Sequence, residues 1–463
     1  MAAPMESQDS DDFFYSSMKL YKTLHMFELQ NPPQTLQPVD ENCICVTTFD
    51  EFTRQSEILE LSIPEKLLHD KEDGLCNDRD FKVISGGFHG DRITALCHIP
   101  DTRYILSNEQ SSNTMILWRL GQETGDVINE DFTFRNPHPY RQRPSDIAVN
   151  HYKENEAVFG SRLADITIAD LETQSISLAM SKEGYIQDQK LGGHGEPVEY
   201  ISGLEFLSNS TIATCCLATG NIVVLDTRDK LKIKQTINSN ISNKYWAFGV
   251  SRNCTITSGS HSNGNPGDAN IIARIANNGK LLLNDLRYCS SDVDSFETGL
   301  NTEWGDLLNI KFKPGSLHTI SLSGFDGNIY IYDMNQSNDR LNTQINKSAI
   351  PDRIKDTHPS GIAIRTDQSE SKLELDQSDL SSDVTTDQLV LSLNATTDQS
   401  YSSTKVKSPR RLRSKFKHEG HWMCNEEDDC VKVLHQTWHS AHNDLVFSCG
   451  SDGSLHAWKP DFH

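Results

Sequence analysis

The side chains best suited to chemistry lie near the C-terminus, in EGHWMCNEEDDC. His418, His421, Cys424 and Cys430 follow the spacing HxxHxxC-x5-C, which resembles a zinc set, because zinc takes imidazole nitrogen and thiolate sulfur. Glu426, Glu427, Asp428 and Asp429 follow as an acidic run, read as a solvated loop or as a docking patch for a basic partner. A second constellation is cationic. KVKSPRRLRSKFK carries Lys405, Lys407, Arg410, Arg411, Arg413, Lys415 and Lys417. Such a run is a solvated charge block, a nuclear-import signal, an RNA phosphate contact or a docking site for acidic tubulin tails. Ser408-Pro409 inside it is a proline-directed phosphorylation candidate, and a phosphate there subtracts up to about two charges. Asp326 and Asp452 each precede a glycine and read as turn braces, not as catalytic acids. A nucleophile elbow, a phosphate loop, HExxH and a paired-carboxylate arrangement are all missing from the sequence. The sequence therefore predicts no enzyme and no cofactor.

The elements that must position these residues are written in a repeat. Gly220, Gly279, Gly327 and Gly453 are each followed by a short strand-like run: NIVVLDTR, KLLLNDLR, NIYIYDMN and SLHAWKPD. Positions two and four after each glycine are apolar. TMILWRL fits the frame with Asn113 at the glycine position, and DITIADL fits with Ala164. Glycine, and to a lesser degree asparagine, tolerates the positive φ of a tight turn before a strand. A strand motif repeating at about 40–45 residues is the mark of a WD40-type β-propeller. The expected fold is all-β, a single seven-bladed propeller whose closure removes free sheet edges. In such repeats a Gly-His pair, an aspartate and a tryptophan form an internal hydrogen-bonded set. Gly420-His421, Asp452 and Trp458 fit that set, and Gly193-His194 with Asp226 fits it in blade four. A buried histidine with partners needs no metal, so the structural set is the expectation and zinc the alternative. A propeller enzyme with titratable groups converging at the central tunnel is the rival from another class.

The 463 residues carry a formal net charge of −22, which predicts repulsion of nucleic acid and anionic membrane. No apolar run approaches the length of a membrane span, and the N-terminus is acidic and polar, so the expected location is cytosol or nucleus. Among the eleven cysteines, Cys97, Cys215, Cys216 and Cys449 read as small core residues. Residues 1–12 read as disordered, and 13–334 as a short helical segment at 13–29, with a run into a strand as its alternative, followed by blades one to six. FKVISGGF is assigned to blade two with RITALCHI, RYILSN and TMILWRL. Residues 335–417 form an insert, acidic and then basic, with almost no aromatics. That composition buries too little apolar surface to offset chain entropy. Residues 418–463 supply blade seven. How blade one closes is left between 22–29 and 33–38.

RDFKV (79–83) with Gly86-Gly87-Phe88, LYKTLHMFEL near the N-terminus, SGFDGNIYIYD (323–333) and the final TWH with SLHAW resemble the WD repeat-containing protein 73 family. The resemblance spans the folded part. It departs from the standard repeat in Trp458-Lys459, and in the absence of clear Gly-His pairs from blades one, three and five. What the resemblance implies is a non-enzymatic scaffold, a monomer within a larger complex. The implied role is assembly or holding of the Integrator RNA-cleavage module. The implied partners are its pair of metallo-β-lactamase-fold endonuclease subunits and a HEAT-repeat protein. The alternative it implies is a cytoskeletal adaptor, in the cytoplasm and at spindle poles, with tubulin as partner.

Overall fold

Three of the four repeat glycines take a positive φ: Gly220 at 67°, Gly279 at 78° and Gly453 at 95°. Each sits in the turn that reverses the chain between the second and third strands of a blade. At Gly220 a Cβ would also lie 2.4 Å from ring carbons of Trp246 in the next blade. Asn113 does not use a positive φ. Its amide instead donates to Asp165 Oδ2 at 2.9 Å, so asparagine is there for its side chain.

The computed structural model describes residues 19–68, 80–121, 125–137, 143–180, 200–239, 241, 245–251, 271–286, 294–303, 307–335, 410–423, 431–442 and 444–462. Residues 1–339 and 409–463 make one compact unit and 340–408 another. Only the first contains described residues.

The first strand, β1 (Tyr21–Glu28), belongs to the last blade. Blade one is β2 (Pro33–Pro38), β3 (Cys43–Asp50), β4 (Gln55–Ser62) and β5 (Lys82–His89), with the helical turn α1 (Glu65–Leu68) after β4. Blade two is β6 (Leu96–His98), β7 (Tyr104–Asn108), β8 (Thr114–Arg119) and β9 (Asn129–Arg135). Blade three is β10 (Asp146–Val149), β11 (Glu156–Gly160), β12 (Thr167–Asp170) and β13 (Ser175–Ala179). Blade four is β14 (Ile201–Ser208), β15 (Thr211–Cys216), β16 (Ile222–Asp226) and β17 (Lys232–Ile237). Blade five is β18 (Trp246–Val250), β19 (Ile271–Ala276), β20 (Lys280–Asp285) and β21 (Asp294–Glu297). Blade six takes β22 (Asn309–Phe312), β23 (Thr319–Ser323) and β24 (Ile329–Asp333). The chain returns through β25 (Arg410–Arg411), which adds to blade five, and β26 (Phe416–His418), which completes blade six. Blade seven is β27 (Val433–Trp438), β28 (Val446–Gly450), β29 (Ser454–Pro460) and β1. The innermost strands β2, β6, β10, β14, β18, β22 and β27 touch in a closed ring around a central channel.

Seven seams hold the ring together, each with its own apolar cluster. Alternate residues of one strand serve opposite seams. On β3, Ile44 and Val46 face blade seven while Cys45 faces blade two. Both faces of a blade are therefore buried, and polar residues in the seams need partners. Glu60, fully buried on β4, accepts a bidentate pair from Arg103 of blade two at 2.6 and 2.8 Å and the Ser85 hydroxyl at 2.6 Å. Arg274, fully buried on β19, donates to the carbonyls of Gly220, Ile237 and Asn238 of blade four.

Four sequence expectations are corrected. The helical segment expected at 13–29 is a strand where it is described: β1 pairs antiparallel with β29, Leu24 opposite Trp458 and Phe27 opposite Leu455. That pairing joins the two ends of the chain. FKVISGGF is the outer strand of blade one, because each sequence repeat begins with the outer strand of the preceding blade. The insert ends before Arg410, since β25 and β26 are strands of the propeller. Cys215, Cys216 and Cys449 are buried, but Cys97 is only partly so.

Candidate interaction surfaces

The histidine seam lies between blades six and seven. The short 3-10 turn Gly420–Met423 follows β26 and carries His421 into it. His421 Nδ1 lies 2.8 Å from Ser454 Oγ, which donates to Asp452 Oδ1 at 2.6 Å. Ser454 thus spends its proton on the carboxylate and accepts from Nδ1–H. On the other side, His421 Nε2 lies 2.8 Å from Ser448 Oγ, which accepts from Trp458 Nε1 at 3.2 Å. The network is satisfied by one neutral tautomer, protonated at Nδ1. His421, Asp452 and Trp458 are thus brought together, with Ser448 and Ser454 as the links. Asp452 also accepts the Ser454 N–H, bracing its turn. Asp326 does the same in blade six, accepting from Asn328 N and from the Tyr330 hydroxyl.

His418 and His456 join the same seam, and the three imidazoles offer ligand atoms within 4.8 Å of one another. The geometry does not suit one ion. His421 and His456 are stacked, with centroids 3.9 Å apart and planes 6° from parallel. Imidazole lone pairs lie in the ring plane, so these two rings aim along separate planes and cannot meet at an ion about 2.0–2.1 Å from each nitrogen. His418 is also engaged, Nδ1 with Tyr21 of β1 at 2.8 Å and Nε2 with His456 Nδ1 at 3.2 Å. Burial, and next the neighbouring imidazoles, hold His418 and His421 well below the usual histidine range, and burial brings His456 to about 4. Cys424, Cys430 and the acidic run 426–429 lie outside the described residues.

Other members of the expected set are placed differently. His194 lies outside the described residues. Asp226 ends β16, accepts from Arg228 N at 3.0 Å and pairs with its guanidinium, capping the turn Thr227–Asp229. Lys405, Lys407 and Ser408 also lie outside the described residues. Arg410, Arg411, Arg413, Lys415 and Lys417 lie on or beside β25 and β26, across the outer edges of blades five and six.

Sequence reading missed two further polar anchors. In blade two, Trp118 Nε1 donates to Ser107 Oγ at 2.9 Å, and His89, edge-on to Trp118, reaches Glu109 at 3.0 Å. The Trp118 of ILWRL, at the position of Trp458, was the available signal. Blade three has no Gly-His pair and uses Asp165, fully buried, which accepts from Ser161 N, Arg162 N, the Ser161 hydroxyl and the Asn113 amide. Burial still raises its pKa.

The channel carries charge as well. Asp146 of β10 is raised to about 6, chiefly by burial, with Arg143 and Lys311 pulling the other way. Lys311 stands on β22 of blade six, which shares no seam with blade three, so their coupling runs across the channel. Burial, with Lys311 adding to it, takes His435 of β27 down to about 3.

A closed ring of seven blades, each built on four antiparallel strands and the fifth extended by the parallel strand β25, with a histidine-serine-tryptophan relay in its last seam and an N-terminal strand locking the C-terminal blade, defines a WD40-type β-propeller. Within that class the chain is similar to curated proteins named Integrator complex assembly factor WDR73. The Danio rerio protein is 25% identical over 462 residues, 98% of this chain and 97% of its own. The Homo sapiens protein is 28% identical over 325 residues, 70% of this chain and 79% of its own, and the Xenopus laevis protein 28% over 332 residues, 68% and 80%. No family model matches the chain. The resemblance to WD repeat-containing protein 73 read from the sequence therefore extends over nearly the whole chain.

Proposed function

We propose that this protein is a non-enzymatic propeller scaffold that assists assembly of the Integrator complex. The observation that carries the reading is the alignment, from end to end, with a protein named for that role, on a fold built to display loops from a rigid disc. Among the described residues, the buried His421, Glu60 and Asp165 are occupied in seams, where they hold blades together. Following the sequence resemblance, the cargo is the pair of metallo-β-lactamase-fold endonuclease subunits, with a HEAT-repeat protein as companion and the chain itself as a single copy. The proposed location is the cytoplasm, with passage to the nucleus.

The test is affinity purification of the tagged chain from its native cells, read by mass spectrometry, for the full protein and for a 336–409 deletion. The deletion stops at 409 because residues 410–418 complete blades five and six. Recovery of the endonuclease pair with both proteins is the expected result. Recovery of tubulin and spindle proteins in place of Integrator subunits overturns it in favour of a cytoskeletal adaptor.

A further inference from the structure

The described half of the basic run is not a free tail but a strap laid across two blades. Arg410 and Arg411 pair in parallel with Phe296 and Glu297 of β21. Leu412 N then donates to Glu297 O at 2.9 Å, on blade five. Lys415 N donates to Ile331 O at 2.7 Å, on blade six, and β26 continues the pairing. Leu412, Phe416 and His418 point inward and are buried. Arg411, Arg413, Ser414 and Lys415 are exposed. Alternate residues of extended chain share a side about 7 Å apart, so Arg411 and Arg413 present adjacent guanidinium groups on a fixed backbone. The lysines are tied down: Lys415 Nζ lies 4.4 Å over the Phe462 ring, and Lys417 pairs with Glu419 and approaches Tyr330.

We propose that this strap is a docking site for an extended acidic peptide segment of a partner protein, held by carboxylates at alternate positions on Arg411 and Arg413. Charge complementarity is the first argument. Five of the run's seven cations, Arg410, Arg411, Arg413, Lys415 and Lys417, lie on the described strap of a chain whose net charge is −22, so the strap stands out as a positive strip on an acidic molecule. Guanidinium supplies the second, because its planar fork matches a carboxylate bidentately. The third is preorganisation: the backbone is pinned at Leu412 and Lys415, so little ordering entropy remains to be lost on binding. A nucleic-acid strand fits less well. It needs exposed aromatic platforms for its bases, and here Phe416 is buried while Phe462 and Tyr330 are covered by lysines.

The site does not rest on the Integrator reading and is tested with purified components. The full chain is titrated into a fluorescein-labelled twelve-residue peptide of alternating Glu and Ser, followed by anisotropy. Wild type is expected to bind, with affinity falling as salt rises. The pair R411A/R413A is expected to weaken binding at least about tenfold, a change of about 1.4 kcal/mol. K405A/K407A is expected to change it less than about twofold, since the built half of the run does the binding. Should the double alanine variant melt below wild type, Arg411→Gln and Arg413→Gln singly replace it. Three results overturn the proposal. They are no binding by wild type, equal loss from the 405/407 pair and the 411/413 pair, and tighter binding of a labelled oligouridylate than of the peptide at the same salt.

Discussion

Glu60 and Arg103 show what a seam demands of a single side chain. The Glu60 carboxylate is fully buried, and Arg103 is its cationic partner from the next blade. Arg103→Met strands a buried charge and is expected to cost about 3–5 kcal/mol, read as the urea midpoint of the intact protein. Glu60→Met with Arg103→Met removes both charges and is expected to recover most of that loss. The histidine relay behaves differently, because the imidazole, hydroxyl and indole at its centre carry no charge. Ser448→Ala leaves Trp458 Nε1 and His421 Nε2 without their shared hydroxyl and is expected to cost about 1–3 kcal/mol. The seam is also sensitive to acid. His456 in this seam is depressed to about 4 by burial, and so is His439, which lies outside it against Phe447 on the blade-one side of blade seven. A histidine whose pKa is lower in the folded state stabilises the fold above its unfolded value near 6.5, and that stability drains away as pH falls toward 4. For His456 the whole change is on the order of 3 kcal/mol. Melting temperature is therefore expected to drop steeply between pH 6.5 and 4, and less so in His456→Gln. His421, Asp452 and Trp458 were legible because a dipeptide, a turn and a tryptophan recur at set distances. Glu60 was not: in EILELS it occupies an ordinary polar position. Alternation along a strand cannot mark it as buried when both faces of the blade are covered.

At the scale of elements, the seams explain which strands the sequence disclosed. The third strand of most blades follows a glycine or its substitute and is apolar on alternate positions, so β16, β20, β24 and β29 were all read with nearly the right bounds. The outer strands were not. β1 is half-covered on the face of Tyr21, Thr23, His25 and Phe27 and mostly exposed on the other, yet Leu24 and Met26 stand on the exposed side, so its residue types do not alternate. Its partner β29 lies more than four hundred residues away, beyond any local signal. β25 and β26 were hidden for another reason: their cations read as solvated chain, although Leu412 between them and Phe416 at the start of β26 are buried. This assignment has a measurable consequence. Deleting 336–409 is expected to leave the melting temperature within about 2 °C of wild type. Deleting 335–417 strips β26 from blade six and Phe416 from its stack on Trp458, 5.4 Å away. It is expected to lower the melting temperature by more than about 4 °C, since burial of one aromatic alone contributes about 3 kcal/mol. Equal melting of the two deletions, followed by circular dichroism, would mean that the outer strand of blade six is dispensable.

For the molecule as a whole, the ring is closed by seven seams but the channel through it is not optimised for stability. Asp146 stands on blade three and Lys311 on blade six, the lysine's charge acts on the carboxyl across it, and burial still raises Asp146 to about 6. A carboxyl raised above its unfolded value favours the fold in its protonated form. Its stabilisation is complete below about 3.8 and is lost as pH rises through about 6. At neutral pH the protein therefore holds this charge at a cost, even with Arg143 and Lys311 nearby. Strongly perturbed charges kept at a cost tend to mark sites under a constraint other than folding. Asp146→Asn mimics the neutral acid in shape. It is expected to stabilise the protein at pH 7.5 by on the order of 1–2 kcal/mol, after allowance for solvent screening at a partly exposed group. It is expected to give no gain at pH 4, where the wild-type carboxyl is already protonated. Urea midpoints of the two proteins at both pH values decide the matter. A gain of equal size at pH 4 would assign the effect to packing, and a loss at pH 7.5 would mean that attraction to Lys311 and Arg143 outweighs burial.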